Sequence, residues 1–193
     1  MKITAYKLRP ILPPRDNLRQ AIRASKLSLK EGDIVAVSSK VVSIAEGRTI
    51  PIEGIDKEDL ARKEADLFFK APKTSKYRRY FTVARGALVG AAGIDESNGN
   101  GYYILYPKDP FKSARELRAG LMKTYKIKKL GVVITDSTSL LLRRGAIGFA
   151  LSWDGIDPLK DYRGTPDIFG RLIRVEMSNI VDGIAAAAVL AMG

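Results

Sequence analysis

Residues 130–137 read LGVVITDS, an apolar run rich in β-branched side chains that ends in a threonine, an aspartate and a serine. Such a run reads as a strand buried on both faces, which belongs inside a parallel or mixed sheet and not at a solvated edge. The strand is expected over residues 131–135. Asp136 then stands where the strand emerges, the usual position for a metal-binding carboxylate in an α/β protein.

Working outward, further strand signals fall at residues 32–42 (GDIVAVSSKVV), 80–86, 88–92, 102–105 and 171–175. Helix signals alternate with them. Asp16 can cap a helix carrying Leu18, Ile22 and Leu27; Asp56 can cap one with Leu60, Glu64 and Phe68. Asp109 followed by Pro110 opens a third, with Ala114, Leu117, Leu121 and Tyr125, and Ser178 can cap a last, apolar helix. Hairpin-like pairs around Gly86 and Gly101 break a purely parallel pattern, so the fold class is α/β or α+β with a mixed sheet. No repeat or linker divides residues 1–193, which read as one domain, long enough to bury a core without staples.

Histidine and cysteine are both absent. That excludes disulfides, thiolate catalysis, Cys/His zinc sites and histidine-based triads, and any metal must be a hard cation held by oxygen. The start MKITAYKLRP has no apolar leader core, and no apolar run approaches the ~20 residues of a membrane span, so the expectation is a cytoplasmic protein with no membrane contact. A net charge of +12 is concentrated in two stretches, Lys70, Lys73, Lys76, Arg78, Arg79 and Arg85, and residues 112–129. A basic face can be simply solvated, or can collect nucleotide phosphates or nucleic acid. Tyr77, Tyr80 and Phe81 interleave with the first cluster, but no RRM, KH or helix-turn-helix signature accompanies it. There is also no GxGxxG after the first strand and no GxxxxGK[ST].

Three segments combine glycine with polar residues beside expected strands: Ser38-Ser39-Lys40 with residues 45–48 (AEGR), residues 91–98 (AAGIDESN), and Thr135-Asp136-Ser137. Asp95 and Asp136, on neighbouring strand ends, can together hold Mg²⁺ or Mn²⁺, ions that keep waters and share phosphate oxygens. The plainer reading gives Asp136 a turn cap and Asp95 an Asx-turn before Ser97. Asn98 reads either as a turn residue or as a phosphate or base contact, and Lys40 either as a phosphate partner or as a solvated lysine.

These segments resemble the coenzyme F420-0 γ-glutamyl ligase family, and within it bacterial relatives associated with folate metabolism. The anchors run in order along the chain: LPPRDNL, EGDIVAVSSKVVSIAEGR, AGIDESNGNGYYILYPKDP, LGVVITDS, RRGAIGFA, DYRGTPDIFGR and DGIAAAAVLAMG. The resemblance implies a mixed-sheet homodimer that joins L-glutamate to a carboxylate-bearing cofactor acceptor, with GTP (or ATP) as co-substrate and Mg²⁺ or Mn²⁺ as cofactor. It implies Asp95, Asp136 and Ser137 as metal ligands, Asp95 and Asp136 at the centre of catalysis, and Arg9, Pro10, Ile11, Leu12, Ser39, Lys40 and Asn98 as nucleotide contacts.

Several positions depart from the family pattern. Ile44 stands where the pattern has a nucleotide-contacting lysine, residues 138–142 (TSLLL) replace a glycine and an arginine, and Leu151-Ser152-Trp153-Asp154 stand where the pattern has a run of small residues. Family members continue past the Met192-Gly193 pair into a glycine-rich acidic segment with further contacts, so weak GTP binding is expected of this length of chain. A non-catalytic nucleotide- or pterin-binding relative is the alternative, and a basic nucleic-acid-binding module the third reading.

Overall fold

The computed structural model describes residues 1–71, 80–140 and 142–193. Its centre is a three-stranded sheet in the order β1 (Asp33–Ser38), β7 (Leu130–Thr138), β8 (Ile147–Asp154). β1 runs parallel to β7 and β8 antiparallel to it, which makes the sheet mixed, as expected. The run at residues 130–135 is buried throughout, and Val132, Val133 and Ile134 have no exposed surface at all. The apolar character of this segment thus follows from burial on both faces.

Smaller sheets surround this one. β2 (Thr49–Pro51) pairs with β6 (Tyr102–Ile104), β3 (Leu67–Lys70) with β4 (Tyr80–Ala84) and β4 with β5 (Ala87–Val89), all antiparallel. The hairpin around Gly86 is therefore the β4–β5 pair. Around Gly101 there is only an isolated antiparallel bridge, Asp95 to Ile104.

Five α-helices are described: α1 (Leu18–Ala24), α2 (Ser39–Glu46), α3 (Lys57–Glu64), α4 (Pro110–Tyr125) and α5 (Ile180–Met192). α4 follows the expected design. Asp109 accepts from the Lys112 N–H, Pro110 occupies the first turn, and Ala114, Leu117 and Leu121 form the buried face. α5 lies so close on β8 that a Cβ on Gly148 would come within 2.6 Å of the Val189 Cβ and 2.7 Å of the Ala185 carbonyl. Glycine is what allows that approach.

Several boundaries differ from expectation. The segment expected as one strand over residues 32–42 changes to helix at Ser39, because Ser38 accepts from the Lys40 N–H and caps α2 while Val42, Ser43 and Ile44 turn inward. Asn17, not Asp16, caps α1, and Asn179, not Ser178, caps α5. Leu27 lies beyond α1 and Phe68 lies in β3. Residues 171–175 form the returning limb of an irregular loop, with one isolated bridge from Leu172 to Pro166. That loop joins β9 (Leu159–Asp161) to β10 (Met177–Asn179), which pair antiparallel. Lys73, Lys76, Tyr77, Arg78 and Arg79 of the first basic cluster, and Leu141, lie outside the described residues.

Candidate active site

The three glycine-and-polar segments meet at the carboxyl ends of β1 and β7. The parallel register sets Ser38 beside Thr135, so Asp136 emerges next to the start of α2. A helix start leaves backbone N–H groups without intrahelical partners and carries partial positive charge, which suits an anion. Ser39 is buried at this start and Lys40 is half-buried one residue on.

Lys40 links two of the segments. Its Nζ lies 2.5 Å from Asp95 Oδ2 and donates to Ser97 Oγ at 3.1 Å. The other oxygen of Asp95, Oδ1, accepts from the N–H groups of Glu96 and Ser97 at 2.6 and 2.7 Å. The Asx-turn at Asp95 is thus present and uses Oδ1, while Oδ2 faces the Lys40 ammonium. Burial pushes the Asp95 carboxyl upward, but the bonds from Lys40 and Ser97 outweigh it and leave the group below the ordinary aspartate value.

Asp136 occupies the other side of the site, in β7 and not in a turn. The Tyr106 hydroxyl donates to its Oδ2 at 2.5 Å. Burial is the strongest influence on Asp136 and raises its carboxyl above the ordinary value, with the Asp95 charge acting in the same direction. Tyr106, the Ser137 N–H and the Lys40 charge oppose that rise without cancelling it. Burial, and then the Asp136 charge, raise the Tyr106 phenol, so at neutral pH it stays protonated and donates.

The backbone leading to Asp95 is strained. Ala91, Ala92 and Gly93 all have positive φ, at 49°, 51° and 74°. Each alanine in that conformation costs roughly 1–2 kcal/mol. The hydroxyl of buried Thr82 secures the turn, accepting from the Ala92 N–H at 2.7 Å and donating to the Val89 carbonyl at 2.6 Å. Strain held by its surroundings is typical of functional sites.

A model of the family described as F420-0:Gamma-glutamyl ligase matches residues 9–193. The coenzyme F420:L-glutamate ligase of Methanopyrus kandleri is 35% identical over 208 residues, which cover 100% of this chain and 82% of that protein. The enzymes of the same name from Archaeoglobus fulgidus and Halobacterium salinarum are each 33% identical, covering 95% and 90% of this chain and 79% and 74% of their own lengths. The chain belongs to the F420-0:gamma-glutamyl ligase family.

Of the positions at which the family resemblance implied a role, Lys40, Asp95 and Asp136 form one connected constellation, with Ser39 at the start of α2 beside it. Ser137 follows Asp136 and its side chain is exposed. Asn98 is exposed at φ 59° in the turn after Asp95. Arg9, Pro10, Ile11 and Leu12 are organised separately. Asp16 binds the Arg9 guanidinium at 2.6 and 2.8 Å and accepts from the Leu12 N–H at 2.9 Å, while Ile11 packs on the core.

The departures from the family pattern also find places. Ile44 is 3% exposed, so its side chain is part of the interior, where an unpaired lysine charge would be costly. Trp153 packs edge-on against Phe111 of α4 at 5.0 Å between ring centroids. Leu140 and Leu142 are exposed beyond β7.

Sequence reasoning passed over Tyr106. A signal was present: a tyrosine inside the apolar run of residues 103–107 must find a partner for its hydroxyl once buried.

Proposed function

We propose that this family member is a ligase that forms an amide between a carboxylate of an F420-0-like or folate-like acceptor and the amine of L-glutamate, at the expense of GTP or ATP. The observation that carries this reading is the meeting of Lys40, Asp95 and Asp136 at the start of α2, on the carboxyl ends of parallel strands. Ligands of open α/β sheets sit at that edge. The α2 N–H groups and Lys40 supply positive charge for the nucleotide phosphates. The terminal phosphoryl group passes to the acceptor carboxylate, and the glutamate amine then displaces phosphate to form the amide, so catalysis consists mainly of positioning and charge neutralisation.

The residues fit a hard divalent cation. Asp95, Asp136 and Ser137 offer oxygen donors only, and burial of Asp136 creates a demand for positive charge that Lys40 alone answers in part. No group of three or more acidic side chains suited to a metal occurs among the described residues. Such a site suits Mg²⁺ or Mn²⁺, which complete their shell with water and phosphate, better than an ion that needs a full protein cage. When bound, the cation would neutralise charge on the transferring phosphoryl group.

The reading extends to a cytoplasmic homodimer. No described helix is long and apolar enough to cross a membrane. The loop between β9 and β10 holds Ile168, Phe169, Leu172 and Val175 largely in solvent, an apolar surface that a second copy would cover. The direct test incubates the chain with labelled glutamate, GTP or ATP, Mn²⁺, and either F420-0 or a folate, with products read by mass spectrometry. A product one glutamate heavier, formed only with nucleotide and metal, is expected. Tight nucleotide binding without turnover on any acceptor would favour a non-catalytic role.

A further inference from the structure

Tyr106 has a stronger hold on the site than packing requires. Its side chain is 3% exposed, and its ring fills a slot that exists only because residue 93 is glycine: a Cβ there would lie 2.0–2.4 Å from three ring carbons. Its carbonyl accepts from Arg48 Nε at 3.0 Å, and Arg48 is fixed in turn by Glu64 at 2.5 Å. The ring therefore has little freedom, and its hydroxyl is delivered to one oxygen of Asp136.

The two site carboxylates are held in matching fashion. Asp95 commits Oδ1 to two backbone N–H groups and turns Oδ2 to the Lys40 ammonium. Asp136 commits Oδ2 to the phenol. A cation would therefore meet Asp136 through Oδ1, and would share Asp95 Oδ2 with the Lys40 ammonium or displace it. Small octahedral ions such as Mg²⁺ and Mn²⁺ accept such single-oxygen donors, whereas Ca²⁺ gains from flexible carboxylates that can give both oxygens.

The geometry points to Tyr106 as a positioning residue that sets which cation the site takes: by occupying Oδ2 of Asp136 it holds that carboxylate to one free oxygen and so favours Mn²⁺ or Mg²⁺ over Ca²⁺. This inference rests on the proposed metal-dependent reading of the same site. It predicts selectivity and not affinity alone, because a purely structural role for the ring would weaken all ions alike.

The test is a titration of Mn²⁺ alone into the purified chain, followed by electron paramagnetic resonance, with Ca²⁺ then added as competitor. Wild type, Tyr106→Phe and Asp136→Asn are compared, and thermal melting of each metal-free protein checks the fold. Tyr106→Phe keeps the ring in its slot and removes only the hydroxyl. The expected result is a Mn²⁺ affinity lower by roughly tenfold or more, the scale of losing a group that orients a metal ligand, with Ca²⁺ affinity kept or raised. Equal weakening of both ions, or no change in either, would overturn the role of Tyr106 while leaving the metal reading in place. Absence of Mn²⁺ binding in wild type, or its persistence in Asp136→Asn, would overturn the metal reading itself and this inference with it.

Discussion

The end of the β1–β7 pair and the loop between β9 and β10 represent two opposite uses of the chain. At the first, polar side chains converge above the buried run of β7, and the carboxylates are positioned by backbone N–H groups, a phenol or an ammonium. At the second, apolar side chains face water and the backbone bonds mainly to itself, as in the Gly164 to Ile173 and Ile173 to Thr165 contacts. Rigidity at the site comes from the core beneath it. The loop has no such support, and its Ile168, Phe169 and Val175 stand in solvent.

Substitutions should separate the two regions, beginning with the largest effect. Ile134→Ala removes a fully buried side chain under the site and should cost about 2–5 kcal/mol of stability, read as a lowered midpoint in denaturant. Phe169→Ala, at 88% exposure, should change the stability of the isolated chain by less than about 0.5 kcal/mol. A comparable loss at both positions would erase the distinction between the regions.

Lys40→Met tests whether the site collects phosphate. Loss of a charged partner should weaken GTP binding by about 1.5–3 kcal/mol, on the order of ten- to a hundredfold by calorimetry. Mn²⁺ alone should bind no more weakly, since the ammonium competes for Asp95 Oδ2. Weaker Mn²⁺ binding in that variant would mean that Lys40 assists the cation. For the loop, Phe169→Glu should shift a dimer toward monomer in light scattering at matched concentration, and an unchanged mass would exclude this surface from the interface.

The smallest effect concerns residues 9–12. The Asp16 carboxyl is held well below the ordinary aspartate range by its bond from Arg9 and by the N–H groups of Leu12 and Asn17. A lowered value on folding stabilises the segment at any pH above the ordinary range, and that contribution is lost as pH falls through the lowered value. Exchange protection of the Leu12 amide, corrected for intrinsic rate, should therefore persist from pH 7 to about pH 4 and be lost only in stronger acid. Protection that already fades between pH 6 and about pH 5 would show that Asp16 does not hold this segment.

Much of this arrangement was legible in the sequence, for identifiable reasons. The burial of β7 follows from its uninterrupted apolar run, and α4 from Asp109, Pro110 and the spacing of Leu117 and Leu121. The three polar segments were visible as candidates because hydroxyl or acidic residues follow a strand signal in each. The start of α2 was not legible, since SSKVVSIAE carries β-branched residues that suit a strand equally well, and only the Ser38 cap and the inward turn of Val42 and Ile44 decide for helix. β8 was missed because FALSW mixes sizes without alternation, and its place is fixed by pairing with β7 and by α5 packed close at Gly148. Tyr106 was hidden because its role depends on a slot left by a glycine thirteen residues earlier, which no local pattern records.

The proposed role of the half-buried Asp136 carboxylate, near the end of β7, is to bind a cation that the nucleotide requires. Isothermal titration of GTP into wild type and Asp136→Asn, each with and without Mn²⁺, tests it most directly. Heat of binding in wild type only with Mn²⁺, and a loss in the variant beyond the roughly hundredfold ceiling of an indirect change, with the fold intact by circular dichroism, is the predicted result. Equal GTP and Mn²⁺ affinities in the two proteins would contradict it.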